Sequence, residues 1–360
     1  MSRAPGTRRR SVADGFTFAV PGDPDLPTGG YGYGRRLASE LAALGLRVTP
    51  LRLPEGFPFP AEAARAEAGR LLAAVPAGET VLVDGLALGV LPEAAEAVAR
   101  RGRLVALVHH PLAHETGHSA ETAARLAASE RAALAHADAV VATGPGTAKS
   151  LVAEFGVAPG RITLAPPGTD PVPPTDRSGD GPVRLLAVGS LIPRKGHDDL
   201  IAALATLAAL DWRLDIVGSA AFDPGHAADL ARMIEAAGLA DRIRLTGAIP
   251  AEAVAAAYRI ADLFVLASRY EGWGMAYTEA LAHGLPVVGT DEAVMAEAVR
   301  AAAVLVPAGD RPALAGALRG LLADPAARQA GAAAAQAAAR LLPTWRGTAL
   351  AVARVIGQPA

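Results

Sequence analysis

With 360 residues, of which 51% are apolar, the chain is long enough to form two domains with separate cores. Its net charge of −2 and its aromatic content of 4% argue against a basic groove with stacking platforms, so we expect no nucleic-acid partner. The absence of cysteine excludes disulfides, thiolate metal ligands and cysteine nucleophiles and fits a reducing compartment, and we expect a cytoplasmic protein.

The chain starts with a basic segment. Arg8, Arg9 and Arg10 precede the apolar run FTFAV, an order similar to that of a twin-arginine signal. The run ends at Pro21 without a long apolar core or a cleavage site. This favours the interpretation that residues 1–14 form a disordered basic tail. The apolar runs of the sequence are too short to span a bilayer, so we expect no transmembrane segment, while peripheral contact with a membrane stays open.

Strand-like and helix-like runs alternate through the first half of the chain, and this predicts a parallel sheet with helices on both faces. The predicted strands are FTFAV, LRVTPLRL, TVLVDG, RLVALVHH, AVVATG and RITLAPPG. The predicted helices are Arg35 to Leu44, Ala61 to Val75, Pro92 to Arg101, Ala120 to Ala135 and Thr147 to Phe155. We assign residues 1–172 to an N-terminal domain.

A stretch rich in proline, glycine, serine and aspartate runs from Pro171 to Pro182 and is typical of an interdomain linker. A second alternating series follows, with RLLAVGS, WRLDIVGS, RIRLTGAI, LFVLAS, PVVGT and AVLVP as predicted strands. It predicts a second domain over residues 182–340, followed by a C-terminal helix within residues 341–360. The fold class is therefore α/β, with two doubly wound domains facing a cleft, and ligands of such sheets bind beyond the carboxyl ends of the strands.

Three short patterns in the first half are similar to ligand-binding motifs. TGGYGYGRR, from Thr28 to Arg36, has glycines, Gly30 among them, that would let backbone amides approach an anion, but it does not fit G-x-G-x-x-G and a tight turn stays open. TGPGTAKS lacks the glycine that precedes the lysine of a P-loop, so we interpret it as a strand-to-helix turn. Asp23-Pro24-Asp25 has the form D-x-D, but its proline-rich loop favours a solvated turn over a metal site.

A basic loop, GSLIPRKG, follows the first strand of the second domain. Arg194 and Lys195 lie between glycines there and can present two cations to one diphosphate. A solvated pair of loop residues is the alternative.

The segment SRYEGWGMAYTEALAHGLP follows the strand LFVLAS and contains Glu271 and Glu279, eight residues apart. Gly272 and Gly274 give the backbone conformational freedom in this segment. A helix is predicted to start near Met275, and the unpaired amides of its first turn can hold a phosphate oxygen. The two carboxylates flank this anion site. Such an arrangement suits a diphosphate with a neutral polyol on either side, which is the shape of a nucleotide sugar.

A histidine-rich segment, VHHPLAHETGH, comes directly after a buried strand. Its four histidines and Glu115 lack a regular spacing for metal ligands, so we expect no metal site. A histidine that hydrogen-bonds within the cleft is our interpretation, and a structural histidine at the end of the strand is the alternative.

Together these segments resemble retaining glycosyltransferases of family 4, which have the GT-B architecture of two Rossmann-like domains. The resemblance runs from Phe16 to Ile356 and rests on E-x7-E with its E-G-x-G and E-A surroundings, on the basic loop, on PPGTD from Pro166 to Asp170, and on PTWRGTALAVARVI. That last segment resembles the tryptophan-bearing helix that in this family returns to the N-terminal domain. Many members carry arginine after the strand glycine, whereas this chain has Ser190.

The resemblance implies a nucleotide-diphosphate sugar as donor, bound mainly by the C-terminal domain, with the acceptor on the side of the N-terminal domain. Arg194 and Lys195 would neutralise the diphosphate, Glu279 would hold the ribose and Glu271 the transferred sugar, and His109 would project toward that sugar. The donor-binding set is completed by Gly30, Gly189, Ser190, Gly274, Met275 and Ala276.

The family transfers sugar with retention, the acceptor hydroxyl attacking on the face that the nucleotide leaves. The resemblance thus implies a retaining hexosyltransferase with no cofactor and no metal. Two rival interpretations are a nucleotide-sugar-binding protein without turnover and, disfavoured by the missing glycine fingerprint, an NAD-type oxidoreductase. Donor base, donor sugar, acceptor and oligomeric state stay open.

Overall fold

The computed structural model describes residues 15–357, except 27, 116, 174–180 and 292–296. The predicted tail over residues 1–14 and most of the predicted linker therefore lie outside the described residues. No helix within the described ranges is long and apolar enough to cross a membrane.

The first sheet has six parallel strands in the order β2-β1-β3-β4-β5-β6. β3 and β4 are buried on both faces, as expected where helices cover both sides of a parallel sheet. The strands are β1 Gly15–Pro21, β2 Arg47–Leu53, β3 Thr80–Asp84, β4 Arg103–Val108, β5 Ala139–Ala142 and β6 Ile162–Leu164.

The second sheet also has six parallel strands, in the order β12-β11-β10-β7-β8-β9. Its strands are β7 Val183–Val188, β8 Trp212–Val217, β9 Ile243–Gly247, β10 Leu263–Leu266, β11 Val287–Thr290 and β12 Val304–Val306. The predicted fold class, two doubly wound α/β units, is confirmed.

Helices cover both sheets. They are α1 Gly29–Ala43, α2 Glu62–Ala73, α3 Gly85–Leu88, α4 Pro92–Ala99, α5 Ala120–Ala135, α6 Pro145–Ala153, α7 His197–Ala205, α8 Pro224–Ala236, α9 Ala251–Ile260, α10 Met275–Ala282, α11 Glu297–Ala302, α12 Arg311–Ala323, α13 Pro325–Ala339 and α14 Trp345–Ile356. Several start at a side-chain cap, for example α5 at Ser119, whose hydroxyl accepts from the Thr122 amide.

Helix α1 differs from its prediction, since it begins at Gly29 and not at Arg35. The glycine-rich segment after Thr28 is therefore largely helical, although glycine is a poor helix former. Tertiary packing explains the difference: Tyr33 is buried against Trp345 and donates its hydroxyl hydrogen to the Ala165 carbonyl. Gly30 consequently lies in the first turn of a helix.

Helix α14 follows the second sheet in sequence but packs on α1 and β6 of the first. Its start contacts the segment that enters the linker. Thr348 Oγ1 donates to the Pro166 carbonyl at 2.6 Å, and the Thr169 amide donates to the Pro343 carbonyl at 2.8 Å. The guanidinium of Arg36 lies over the ring of Trp345 and bonds Asp170 at 2.8 Å. The segment that enters the linker and the segment that returns to α14 therefore lie next to each other, and both connect the two sheets.

Candidate active site

The candidate site residues follow strands that lie at or beside the point where the strand order of each sheet reverses. In the second sheet this point is between β7 and β10, and in the first it is between β1 and β3. Crevices form at such points because neighbouring connections leave in opposite directions. Three segments meet there: residues 189–196, called the basic loop, residues 268–274, called the glutamate loop, and the described part of residues 109–118, called the histidine loop.

The basic loop is held against the end of β10. Pro193–Lys195 form a short 3-10 turn, and Gly196 follows with φ of 63°. A methyl group at Gly196 would overlap the Ala267 carbonyl oxygen, so glycine is required both by its backbone conformation and by this close approach. The turn brings Arg194 and Lys195 next to the glutamate loop.

The start of the basic loop is fixed by a buried histidine. Nε2 of His197 lies 3.3 Å from the carbonyl oxygen of Gly189, and burial lowers the His197 pKa to about 4. The ring is therefore neutral and donates to that oxygen. The aliphatic part of Lys195 packs over Gly189, and the carbonyl of Ser190 accepts from the Ile192 amide at 2.9 Å.

Lys195 and the buried Glu271 form a largely buried ion pair, with 2.5 Å between Nζ and Oε1. The Ser268 hydroxyl donates to the same carboxylate oxygen at 2.7 Å, and Nη1 of Arg194 lies 3.9 Å from the other oxygen. Burial alone would raise the Glu271 pKa, but Lys195 and Arg194 outweigh it and hold the pKa below its usual value. The sequence-based prediction placed Lys195 on the diphosphate and Glu271 on the transferred sugar of one donor, and it did not anticipate the direct contact between the two side chains.

The N-terminus of α10 follows the glutamate loop. Gly274 takes the cap position with φ of 84° and ψ of 53°. The first intrahelical donors are the amides of Tyr277 and Thr278, which both reach the Gly274 carbonyl. The amides of Met275 and Ala276 precede them, at the helix end that favours negative charge. These amides, the Arg194 guanidinium and the Lys195 ammonium supply positive charge to one end of the second sheet.

Glu279 lies about one turn inside α10 and is half-buried. Desolvation raises the pKa of its carboxyl to about 7, with the charge of Asp170 adding to this and a hydrogen bond from Tyr258 opposing it. The Tyr258 hydroxyl oxygen also lies 3.1 Å from the Ala276 carbonyl oxygen, so its one hydrogen is shared between two acceptors, and its ring stacks on His283. Because the charge of Asp170 acts on its carboxyl, Glu279 lies near the segment that connects the two sheets.

His109 is the first residue after β4 and belongs to the opposite wall of the cleft. Its Nε2 lies 3.3 Å from Oδ2 of Asp84, the last residue of β3, which is 5% exposed. Its ring packs edge-on against Tyr33, and a methyl group at Gly30 would lie 3.6 Å from it. Donation from Nε2 to this carboxylate leaves Nδ1 as an acceptor.

The other histidine-loop side chains contact the C-terminal domain or the rim of the cleft. His110 and His114 both pack edge-on against Tyr270, with ring centroids 5.8 and 5.7 Å apart. Glu115 accepts from Nε of Arg194 at 2.8 Å, and His118 packs against the half-exposed Phe59. Burial lowers the His110 pKa, so its contact with Glu115 is a hydrogen bond of a neutral ring.

The two walls touch through backbone as well. A methyl group at Gly272 would lie 2.6 Å from the His109 carbonyl oxygen, and one at Gly144 would lie 2.6 Å from the Gly272 carbonyl oxygen. The cleft is thus closed at this point. Within the described residues, no three histidine, aspartate or glutamate side chains come together as metal ligands.

Sequence reasoning missed two residues of this site, Asp84 and Tyr258. Asp84 carried a signal, because a carboxylate at the end of a fully buried strand is rarely there for packing. Tyr258 carried none. It lies in α9, and only the tertiary packing of α9 brings it to Glu279.

Two protein-family models match the chain. "Glycosyltransferase Family 4" matches residues 32–172, and "Glycosyl transferases group 1" matches residues 174–338. The fold is also similar to that of a sucrose-phosphate synthase from Thermosynechococcus elongatus, with a TM-score of 0.78, 23% identity and coverage of 95% of this chain and 98% of that one. The architecture is GT-B, and the two matched segments, which together run from residue 32 to residue 338, are similar to those of family 4 glycosyltransferases.

Curated relatives match parts of the chain. A GDP-mannose-dependent alpha-(1-6)-phosphatidylinositol monomannoside mannosyltransferase from Mycolicibacterium smegmatis is 34% identical over 65% of this chain and 64% of its own length. A mannosylfructose-phosphate synthase from Agrobacterium fabrum is 35% identical over 42% of this chain and 37% of its own length. The matches thus span between about a third and two thirds of the length of these relatives.

Proposed function

We propose that the chain is a retaining glycosyltransferase that moves a hexose from a nucleotide-diphosphate sugar to an acceptor hydroxyl. One observation carries the proposal. The Lys195–Glu271 ion pair, Arg194 and the start of α10 lie together on one wall of the cleft, and His109 lies on the wall that contacts it. One relative is named for its dependence on GDP-mannose, which supports a nucleotide-sugar donor.

In the proposed complex the diphosphate lies against Arg194, Lys195 and the amides of Met275 and Ala276. Glu279 accepts hydrogen bonds from the ribose hydroxyls, and Glu271 and His109 contact the transferred sugar. The backbone of Gly189 and Ser190 lines the donor on the β7 side, and Gly30 leaves room for it beside the His109 ring.

In the proposed reaction the bond between the anomeric carbon and the diphosphate oxygen breaks, and a bond from that carbon to the acceptor oxygen forms on the same face. The acceptor proton passes to the departing diphosphate oxygen. The protein positions the two substrates and stabilises the charge that develops on the diphosphate. Closure of the cleft excludes water and so limits hydrolysis of the donor.

A thermal-shift panel of nucleoside diphosphates, nucleotide sugars and NADH tests the proposal. We expect one nucleoside diphosphate and its sugar conjugate to raise the melting temperature, because ligands that bind the folded state stabilise it by mass action. NMR of the product formed from that donor should show an unchanged anomeric configuration. Protection by NADH alone would support an oxidoreductase, and donor binding without transfer or hydrolysis would support a protein that only binds the nucleotide sugar.

A further inference from the structure

Arg269, the second residue of the glutamate loop, connects that loop to the basic loop. Its backbone amide donates to the Arg194 carbonyl at 2.7 Å, and Nη1 of its guanidinium donates to the Pro193 carbonyl at 2.5 Å. In return, Nη1 of Arg194 donates to the Tyr270 carbonyl at 3.0 Å. Each loop therefore holds the backbone of the other through an arginine.

The guanidinium of Arg269 is itself fixed by two carboxylates. Its Nη2 donates to Oδ2 of both Asp198 and Asp199, at 2.6 Å each, and these residues form the first turn of α7. Carboxylates are favourable at that helix end. Asp199 is buried, and its other oxygen accepts from Nε of Arg311 at 2.7 Å.

The fixed guanidinium determines where the cations of the basic loop lie. The carbonyls that it and the Arg269 amide hold belong to Pro193 and Arg194, so the short turn that carries Arg194 and Lys195 cannot shift without breaking these bonds. The same turn must keep Lys195 next to Glu271 and both cations near the start of α10. A displacement of about 1 Å at such a site is enough to weaken binding and catalysis strongly.

We propose that Arg269 is a positioning residue for the diphosphate cations. It touches neither donor nor acceptor and acts through the backbone of Pro193 and Arg194. The proposal rests on the proposed function, since it assumes that Arg194 and Lys195 bind a diphosphate. It predicts that Arg269 matters for the diphosphate part of a nucleotide and not for the nucleoside part.

Calorimetry on Arg269→Gln tests this with two probes: the nucleoside diphosphate selected by the thermal-shift panel, and the corresponding nucleoside. We expect the affinity for the diphosphate to fall about tenfold, the scale of one lost charge-assisted hydrogen bond, and the affinity for the nucleoside to stay unchanged. Arg269→Lys should reproduce the selective loss with a smaller decrease in melting temperature, because lysine keeps the charge next to Asp198 and Asp199 but cannot form the planar fork.

Arg311→Gln is the matched control. Arg311 shares Asp199 with Arg269, but the Arg269 bonds to Asp198, Asp199 and Pro193 remain when it is replaced. We expect it to lower the melting temperature without changing the ratio of diphosphate to nucleoside affinity. Equal losses for both probes in the two Arg269 variants, or the selective loss in Arg311→Gln, would overturn the positioning role. Wild-type protein that binds none of the nucleoside diphosphates would overturn the proposed function itself, and this inference with it.

Discussion

The two walls of the cleft differ in the charge that they present. The C-terminal wall carries Glu271 with Lys195 and Arg194, whose nitrogens lie 2.5 and 3.9 Å from its carboxylate oxygens, and all three side chains are largely buried. The N-terminal wall presents His109, held by Asp84, and the His109 carbonyl, which accepts from two threonine hydroxyls. One wall thus has an assembled set of charges next to a helix N-terminus, and the other has one oriented imidazole and the Glu115 carboxylate, which accepts from Arg194.

This difference suggests that the two walls have separate roles in the proposed reaction. Cations and helix amides that are already in place can stabilise a departing diphosphate without reorganisation during the reaction. An imidazole oriented by a carboxylate can hold one hydroxyl of the sugar in a defined direction. Substitutions on the C-terminal wall should therefore change chemistry and nucleotide binding in separable ways, whereas substitutions on the N-terminal wall should change chemistry alone.

The largest effect is expected from the buried ion pair. Glu271→Gln should lower kcat about a hundredfold, because the carboxylate stabilises positive charge on the sugar ring in the transition state. It should leave the affinity for the nucleoside diphosphate equal or slightly higher, because Lys195 then has no competing anion. Lys195→Met should lower both kcat and this affinity. Steady-state rates and calorimetry on both variants provide the measurement.

Melting temperatures serve as the control for these two variants, since removing one partner of a buried ion pair destabilises a protein by about 3–5 kcal/mol. The assays should be run well below the lower melting temperature. Equal losses of nucleotide affinity in Glu271→Gln and Lys195→Met would contradict the assignment of Glu271 to the sugar.

A smaller effect is expected from the N-terminal wall. Asp84→Asn weakens the bond that orients His109, and a hydrogen bond to a charged group contributes about 1.5–3 kcal/mol, so kcat should fall about tenfold. His109→Ala should lower kcat by at least as much. Neither substitution should change the affinity for the nucleoside diphosphate, as measured by calorimetry. Near-normal turnover in His109→Ala together with an inactive His110→Ala would show that the wrong histidine was chosen.

The effect expected from Glu279 depends on pH. Its pKa of about 7 means that the carboxyl is largely protonated at pH 6 and ionised at pH 8. Ribose hydroxyls donate more strongly to the ionised form, so nucleotide affinity should rise up to about tenfold between these pH values. Glu279→Gln should remove this rise. Subtracting the pH profile of nucleotide affinity for this variant from that of the wild type removes the contribution of the diphosphate's own titration. Parallel profiles for the two proteins would exclude ribose binding by Glu279.

The same carboxyl should affect the stability of the protein without ligand. Its folded pKa is raised above the unfolded value of about 4.5, so the folded state binds the proton more tightly. Stability should therefore fall as the pH rises from about 4.5 through 7 and level off above that. Denaturation at several pH values should show this slope in the wild type and a reduced slope in Glu279→Gln.

The strands could be predicted from the sequence because short runs of β-branched and apolar residues between turn signals are a local property. The contacts within the site could not. Lys195 and Glu271 are brought together by the pairing of β7 with β10, and strand order is a tertiary property. The start of α1 was mispredicted for the same reason, because packing on Trp345 overrides the low helix propensity of its glycines.

The smallest effect is expected from removal of divalent metal, and this prediction tests whether the charges of the C-terminal wall suffice. Arg194, Lys195 and the amides at the start of α10 together provide the positive charge that a metal ion would otherwise supply to a diphosphate. Transfer rates of the purified protein should therefore agree with and without EDTA. Activity that EDTA abolishes and manganese restores would mean that these groups are not enough. The diphosphate would then need a ligand set that the comparison of the two walls does not contain.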